Sequence, residues 1–328
     1  MNYNAIREKL SAGRAVLLDG GIGTEVMRRG IRWRQHGIED APDTIRDIHR
    51  DYLNAGVDIL TTHTFNLTKR NFINFFRDGE HMGLIGASGL PSKAVELCRS
   101  AVTLAKEALT ESGKAEIVPL AASISPVMHL FRPDLSPPEN DCLTHHRECA
   151  EILSSCGVDL IFFEGMNNTR EAQAALEAAS GFDLPVWMSF VPDTDGNLLN
   201  GESLQSAANL ARSQGAEAVL VSAGSMPMIT KSLPNIINGS PSGAKAVIGR
   251  YSPPSWKPDF YPRFENIEEV SPENYAQEAQ SWLDQGVQII GGSSGTTPEH
   301  IRYLVDATAE LGPRRAGRCG PESRLGPW

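Results

Sequence analysis

Near its C-terminal end the chain reads Val287-Gln288-Ile289-Ile290-Gly291-Gly292-Ser293-Ser294-Gly295-Thr296-Thr297-Pro298-Glu299-His300. An apolar run stops in glycines and small polar residues, and Thr-Thr-Pro-Glu follows at once. That order describes a buried strand opening through a tight turn straight into a helix, with Thr297 as N-cap and Pro298 at the first helical position. Such a junction is where barrel enzymes carry their chemistry.

The same unit recurs upstream. Apolar runs at residues 15–21, 57–64, 117–124, 158–165, 185–190, 218–224 and 246–251 join the one at 287–292, giving eight. Most are nearly continuous in Val, Ile, Leu and Ala, as strands buried on both faces of a parallel sheet are. Amphipathic segments such as 168–177 and 273–283 lie between them, and Gly56, Gly157, Gly215 and Gly286 stand where a helix must stop before the next strand. Eight strand-helix repeats predict an α/β fold, a (β/α)8 TIM barrel, as one domain over residues 1–311.

Two insertions depart from the minimal repeat, at 66–92 after strand 2 and at 252–272 after strand 7. Both follow strand C-termini, so they are expected to form lids or substrate walls over the mouth. Residues 312–328 are rich in Gly, Pro and Arg without apolar period, and the expectation there is a disordered tail.

A chain of 328 residues with 41% hydrophobic content can bury a barrel-sized core. The net charge of -10 and the absence of a basic face argue against nucleic-acid and acidic-membrane partners. The N-terminus has neither a basic segment nor a continuous apolar one, and no run approaches the roughly 20 residues of a membrane span. A cytoplasmic protein is expected, with a small-molecule partner and a homo-oligomer left open. The five cysteines, Cys98, Cys142, Cys149, Cys156 and Cys319, form no Cys-x-x-Cys pair. They read as packed free thiols rather than as a disulfide framework or metal knuckle.

In a barrel the functional groups come from strand C-termini. Asp19, Gly20 and Gly21 follow strand 1, and Thr62, His63 and Thr64 end strand 2. Ser123 and Ser125 follow strand 3, with Met128 and His129 beyond. Glu164 ends strand 4, Ser189 lies in strand 5, Ser222 and Ala223 end strand 6, Tyr251 ends strand 7, and Ser293 and Ser294 follow strand 8. A carboxylate in an apolar run is costly unless paired or bound to a cation, which makes Glu164 a functional candidate. Asp19 reads equally as a ligand contact or as the clamp of the Gly-Gly turn. Gly20 and Gly21 let backbone amides approach an anion, and Glu164 can take an ammonium; together these describe an amino-acid or zwitterion site. His63 reads as a base or as a packed histidine.

These residues resemble the homocysteine S-methyltransferase family. Asp19-Gly20-Gly21-Ile22-Gly23-Thr24-Glu25 resembles its first-strand motif, Thr61-Thr62-His63-Thr64 its second-strand end, and Phe162-Phe163-Glu164 the fourth-strand glutamate that in the family holds the homocysteine amino group. The Gly291-to-His300 stretch resembles its Gly-Gly-Cys-Cys-Gly-Thr-x-Pro-Glu-His signature. The resemblance implies a zinc-bound homocysteine thiolate attacking the methyl of S-methylmethionine, a betaine or a folate. The three zinc-ligand cysteines, however, fall on Ala223, Ser293 and Ser294, so no metal or other cofactor is expected.

The resulting expectation is a methyltransferase-like enzyme acting on an amino acid, sulfonium or betaine without zinc-thiolate activation. Glu164, His63 and Asp19 are its expected catalytic residues. Gly20, Gly21, Thr62, Thr64, Ser222, Tyr251, Ser293 and Ser294 are expected to contact substrate. The alternatives are a zinc-free lyase or hydrolase using Glu164, His63 and Asp19, and a non-catalytic binder of an amino acid or betaine.

Overall fold

The structure is a computed structural model that describes residues 3–31, 35–70, 89–238, 240–248 and 270–309. Its centre is an eight-stranded sheet in the order β1-β8-β7-β6-β5-β4-β3-β2, every pairing parallel. The strands are β1 (Val16–Leu17), β2 (Leu60–Thr61), β3 (Leu120–Ile124), β4 (Leu160–Met166), β5 (Val186–Phe190), β6 (Ala218–Ser225), β7 (Ser242–Val247) and β8 (Ile289–Gly292). A parallel bridge between Leu18 and Ile59 joins β1 to β2 and closes the ring. The expected barrel is therefore present, with eight strands and helices outside.

Alternation along each strand sorts the core into two layers, because successive side chains point to opposite faces. On β4, Leu160 and Phe162 belong to the inner cluster, whereas Ile161 and Phe163 pack outward. Trp187 and Met188 on β5, and Leu220 and Val221 on β6, divide in the same way. The outer layer is sealed by amphipathic helices, among them α3 (Pro42–Ala55), α4 (Leu90–Glu111), α5 (Glu139–Ser155), α6 (Thr169–Ala179), α7 (Leu204–Ser213), α9 (Pro272–Asp284) and α10 (Pro298–Ala309). Helix α3 stops at Gly56, whose φ of 100° no side-chain-bearing residue adopts cheaply. Cys142, Cys149 and Cys156 lie along α5 and its C-cap as free thiols, Cys142 fully buried.

The N-terminal helix α1 (Tyr3–Ser11) closes the bottom of the barrel. Tyr3, Ile6 and Leu10 join Leu18, Ile59, Phe162, Trp187, Leu220 and Ile289 in one apolar cluster. The Tyr3 hydroxyl accepts from Trp187 Nε1 at 2.6 Å and donates to Glu217 at 3.0 Å, satisfying the only polar atom of the indole. Gly243 of β7 is required there: a Cβ would stand 2.6 Å from Leu220 and 2.8 Å from Ile289.

Strand 7 differs from expectation. It runs from Ser242 to Val247, four residues earlier than the predicted 246–251. Lys245 breaks the apolar period, and so the apolar run Ala246-Val247-Ile248 drew the boundary too late. Tyr251 lies outside the described residues, as do the tail 312–328 and most of both insertions. Among the described residues no helix is long and apolar enough to cross a membrane.

Candidate functional site at the barrel mouth

Toward the C-terminal strand ends the inward positions turn polar. On β4 the inward series Leu160, Phe162 continues to Glu164, and on β7 Gly243 is followed by Lys245. Register sets Ser123 of β3 beside Phe162, and Lys245 beside Ser222 of β6 and Gly291 of β8. Lys245 Nζ donates to Glu164 Oε1 at 2.5 Å across the barrel, and Ser123 Oγ donates to Glu164 Oε2 at 2.8 Å. The Lys245 ammonium also stands 5.3 Å from the centroid of the Phe162 ring, a cation-π contact that roofs the apolar floor.

Asp19 completes this charged group. It is fully buried, and its carboxylate accepts from the Thr61 amide at 2.7 Å and from Thr61 Oγ1 at 2.9 Å. Burial pushes its pKa up to about 6, the Lys245 charge and the Thr61 hydrogen bonds opposing, and Glu164 adding a further upward push. The hydrogen bonds of the Asp19 carboxylate go to Thr61 of β2 rather than to the Gly-Gly turn that the structural reading of the sequence gave it. The structure thus gathers Asp19 and Glu164 around a lysine that the sequence reading missed.

The hydroxyls at the strand ends form two hydrogen-bonded groups. Thr62 Oγ1 and Thr64 Oγ1 share a hydrogen bond of 2.6 Å, Thr64 Oγ1 donates to the Ser123 carbonyl, and Thr62 Oγ1 accepts the Ser123 amide. Ser189 Oγ accepts the Gly165 amide and lies 2.7 Å from Ser222 Oγ. The His63 ring faces His36: its Nε2 lies 3.0 Å from the His36 carbonyl, and the two rings meet edge to face. Burial holds the His63 pKa well below its ordinary value, with His36 nearby adding to the effect.

The turns that carry Gly20, Gly21, Ser293 and Ser294 are bound to one another. The Gly21 amide donates to Thr296 Oγ1 at 2.9 Å, and the Gly295 amide to Thr24 Oγ1 at 3.0 Å. A Cβ on Gly20 would sit 2.7 Å from Thr296 and Tyr52 atoms, and one on Gly21 would sit 2.5 Å from the Ser293 carbonyl. These glycines permit a close approach between two loops, and the Gly21 amide is spent on that contact. On the other side, Ile248 N donates to the Ser294 carbonyl and Ser293 N to that of Ala246. At the start of α10, Thr297 Oγ1 lies 2.8 Å from His300 Nδ1, consistent with its capping position.

The mouth also has an apolar wall. Val191, Ala223 and Val247 cluster there, with Leu130, Phe131 and Leu199 packed against them. Asn167 Nδ2 fixes the loop above by donating to the carbonyls of His129 and Leu130, each at 3.0 Å. Ala223 has a φ of 59°, a left-handed conformation that costs a residue with a Cβ roughly 1 kcal/mol, at a point where β6 shifts register against β7.

The fold and this polar mouth define a (β/α)8 barrel with a candidate small-molecule site at the strand C-termini, and the comparisons with known proteins give its family. The family model for homocysteine S-methyltransferase matches residues 16–308, and the chain belongs to that family of methyltransferases. It is 26% identical over 326 residues to the selenocysteine methyltransferase of Astragalus bisulcatus, covering 89% of this chain and 92% of that one. With homocysteine S-methyltransferase 2 of Arabidopsis thaliana it shares 26% identity over 332 residues, covering 92% and 96%. The metallated homocysteine methyltransferase MmuM from Escherichia coli superposes with a TM-score of 0.72 at 21% identity, covering 93% and 99%.

The residues at the implied zinc position do not fit the metal. They are a methyl group at Ala223 and two neutral hydroxyls at Ser293 and Ser294, whereas zinc takes thiolate, imidazole or carboxylate. Among the described residues no cluster of three or more His, Cys, Asp or Glu side chains is arranged to hold a metal ion.

Proposed function

We propose that this protein binds a sulfur-containing small molecule at the barrel mouth and takes part in methyl transfer to or from its sulfur without a zinc thiolate. Family membership supports the reaction class. The observation that carries the zinc-free reading is the donor set Ala223, Ser293 and Ser294, set beside an ion pair between Lys245 and Glu164. In the reaction the bond from the donor onium to its methyl breaks as the acceptor sulfur forms its own, and the donor leaves neutral. The chain's part is to hold the two partners in line, which alone can supply several kcal/mol. The ordered loops after β1 and β8, each tied to the other, suit that role. An acid-base enzyme built on His63 is less well supported, since that ring is engaged with His36.

Without a metal to acidify it, an acceptor thiol ionises at its own pKa of about 8.5. Methyl transfer from S-methylmethionine or a betaine to a thiol should therefore rise up to about pH 8.5 and survive chelators. Stoichiometric zinc in the purified protein, with activity lost on chelation, would overturn the zinc-free reading. The triple variant Ala223→Cys, Ser293→Cys, Ser294→Cys should acquire zinc, measurable by metal analysis.

A further inference from the structure

Glu171 lies outside the charged group of the mouth and is 1% exposed. It stands at the third position of α6, and the side chain of the N-cap Asn168 accepts its amide at 2.9 Å. A glutamate there ordinarily turns back to the amide of its own N-cap. This carboxylate reaches instead into the loop between β3 and α5. Val127 N donates to Oε1 and Ser136 Oγ to Oε2, each at 2.6 Å, and His146 Nε2 of α5 lies 3.2 Å from Oε1. Burial pushes the carboxyl up, but the hydrogen bonds from His146, Ser136 and Val127 outweigh it and hold its pKa below the ordinary value.

One carboxylate therefore ties both ends of the segment 127–136. Its neighbours in sequence add to the hold: Asn167 Nδ2 donates to the carbonyls of His129 and Leu130, and the Arg170 guanidinium donates to that of Ser136 at 3.0 Å. Between the tied ends the segment carries Leu130 and Phe131, which pack against Val191, Ala223 and Val247. Leu130 sits over Gly165, the residue after Glu164, where a Cβ would collide with Leu130 Cδ1. Part of the apolar wall of the mouth is thus set by a loop fixed from the start of α6. A solvated cap would serve α6 without the desolvation cost of a buried carboxylate; donors at opposite ends of one loop are what offset it here.

We infer that Glu171 is a positioning residue for the mouth: by holding both ends of the 127–136 loop it keeps Leu130 and Phe131 seated as a wall against the sulfur and methyl groups of the ligand. It touches no ligand and acts through the loop. The inference rests on the reading of the mouth as a sulfur-compound site.

Amide hydrogen exchange of the full chain reads the loop without ligand, and isothermal titration with S-methylmethionine and with homocysteine reads the site. In Glu171→Ala, exchange across 127–136 should rise about tenfold or more, the strength of one hydrogen bond to a charged group, with the floor peptides of β4 and β5 unchanged. Affinity for whichever compound the wild type binds should fall by a similar factor. Glu171→Gln should restore both, since its amide can accept from Val127 through oxygen and donate to Ser136 Oγ through nitrogen. A merely structural glutamate would lower the melting temperature of Glu171→Ala and leave the folded variant with wild-type affinity. That result overturns the inference, as does unchanged exchange in the loop. If Glu171→Ala does not fold, Ser136→Ala releases one end of the loop from a half-buried position, and wild-type exchange and affinity in that variant overturn the inference equally. Should the wild type bind neither compound, the sulfur-compound reading fails by itself and the loop's role as a ligand wall falls with it, while exchange still reads separately whether Glu171 holds the loop.

Discussion

The two ends of the barrel interior are built on the same eight strands, yet they obey different rules. At the floor, Leu18, Ile59, Phe162, Trp187, Leu220 and Ile289 interlock under α1, and the polar atom of Trp187 is satisfied by Tyr3. At the mouth, two residues further along the strands, the inward positions hold Ser123, Glu164, Ser189, Ser222 and Lys245. The floor gains by excluding water from apolar area. The mouth gives up that gain to hold charge, and its groups are mutually bonded so that the cost stays bounded. The comparison teaches that apolar packing and buried charge are separable along one strand: Phe162 belongs to the floor, and Glu164 two residues later to the mouth.

The separation can be broken from either end. Trp187→Ala should give the largest effect, a loss of about 3–5 kcal/mol from the cavity left at the floor, read by chemical denaturation. Methyl transfer by the folded fraction should stay unchanged, and a drop in it would show that the two ends are coupled. Next comes Asp19. Its folded pKa of about 6 lies above the ordinary value of 3.8. A raised acid favours the folded state fully below pH 3.8 and loses that contribution as pH rises through 6. Across that window wild type should lose about 3 kcal/mol relative to Asp19→Asn, so that the variant gains on it from pH 4 to 7 in paired denaturation curves. A constant difference would place the ionisation elsewhere.

Smaller effects sharpen the picture at the mouth. Lys245→Met should cost about 2 kcal/mol, less than a fully buried pair because Glu164 is partly exposed, and the double change with Glu164→Gln should recover most of it. Ala223→Gly should leave stability within about 0.5 kcal/mol of wild type, because relieved left-handed strain is offset by the loss of one packed methyl and the freer unfolded chain. A stability drop there would mean that the methyl packing outweighs the strain.

Much of the fold was legible in the residues. Apolar runs ending in glycine marked the strands because parallel strands are buried on both faces, and Gly56 marked a helix end because its φ of 100° excludes other residues. The site was legible less evenly. Glu164 stood out as a charge closing an apolar run, and it does lie at the mouth. Lys245 was missed, since a lysine between alanines reads as the exposed end of something rather than the inside of a strand. Its signal was alternation, Gly243-Ala244-Lys245-Ala246, which puts lysine on the crowded inner face once Gly243 is recognised as a barrel-floor residue.

By itself, then, the order of residues determined the strand count, the parallel closed architecture, the family and the absence of cysteine at three mouth positions. These follow from local periodicity, turn chemistry and composition, which are properties of neighbours along the chain. Only the tertiary structure decided which charges meet. Lys245 and Glu164 are separated by 81 positions and joined because β4 and β7 face one another across the barrel. Likewise His63 turns to His36, and Gly21 spends its amide on Thr296. Such pairings depend on register and curvature around a closed ring, and no window of sequence contains both partners.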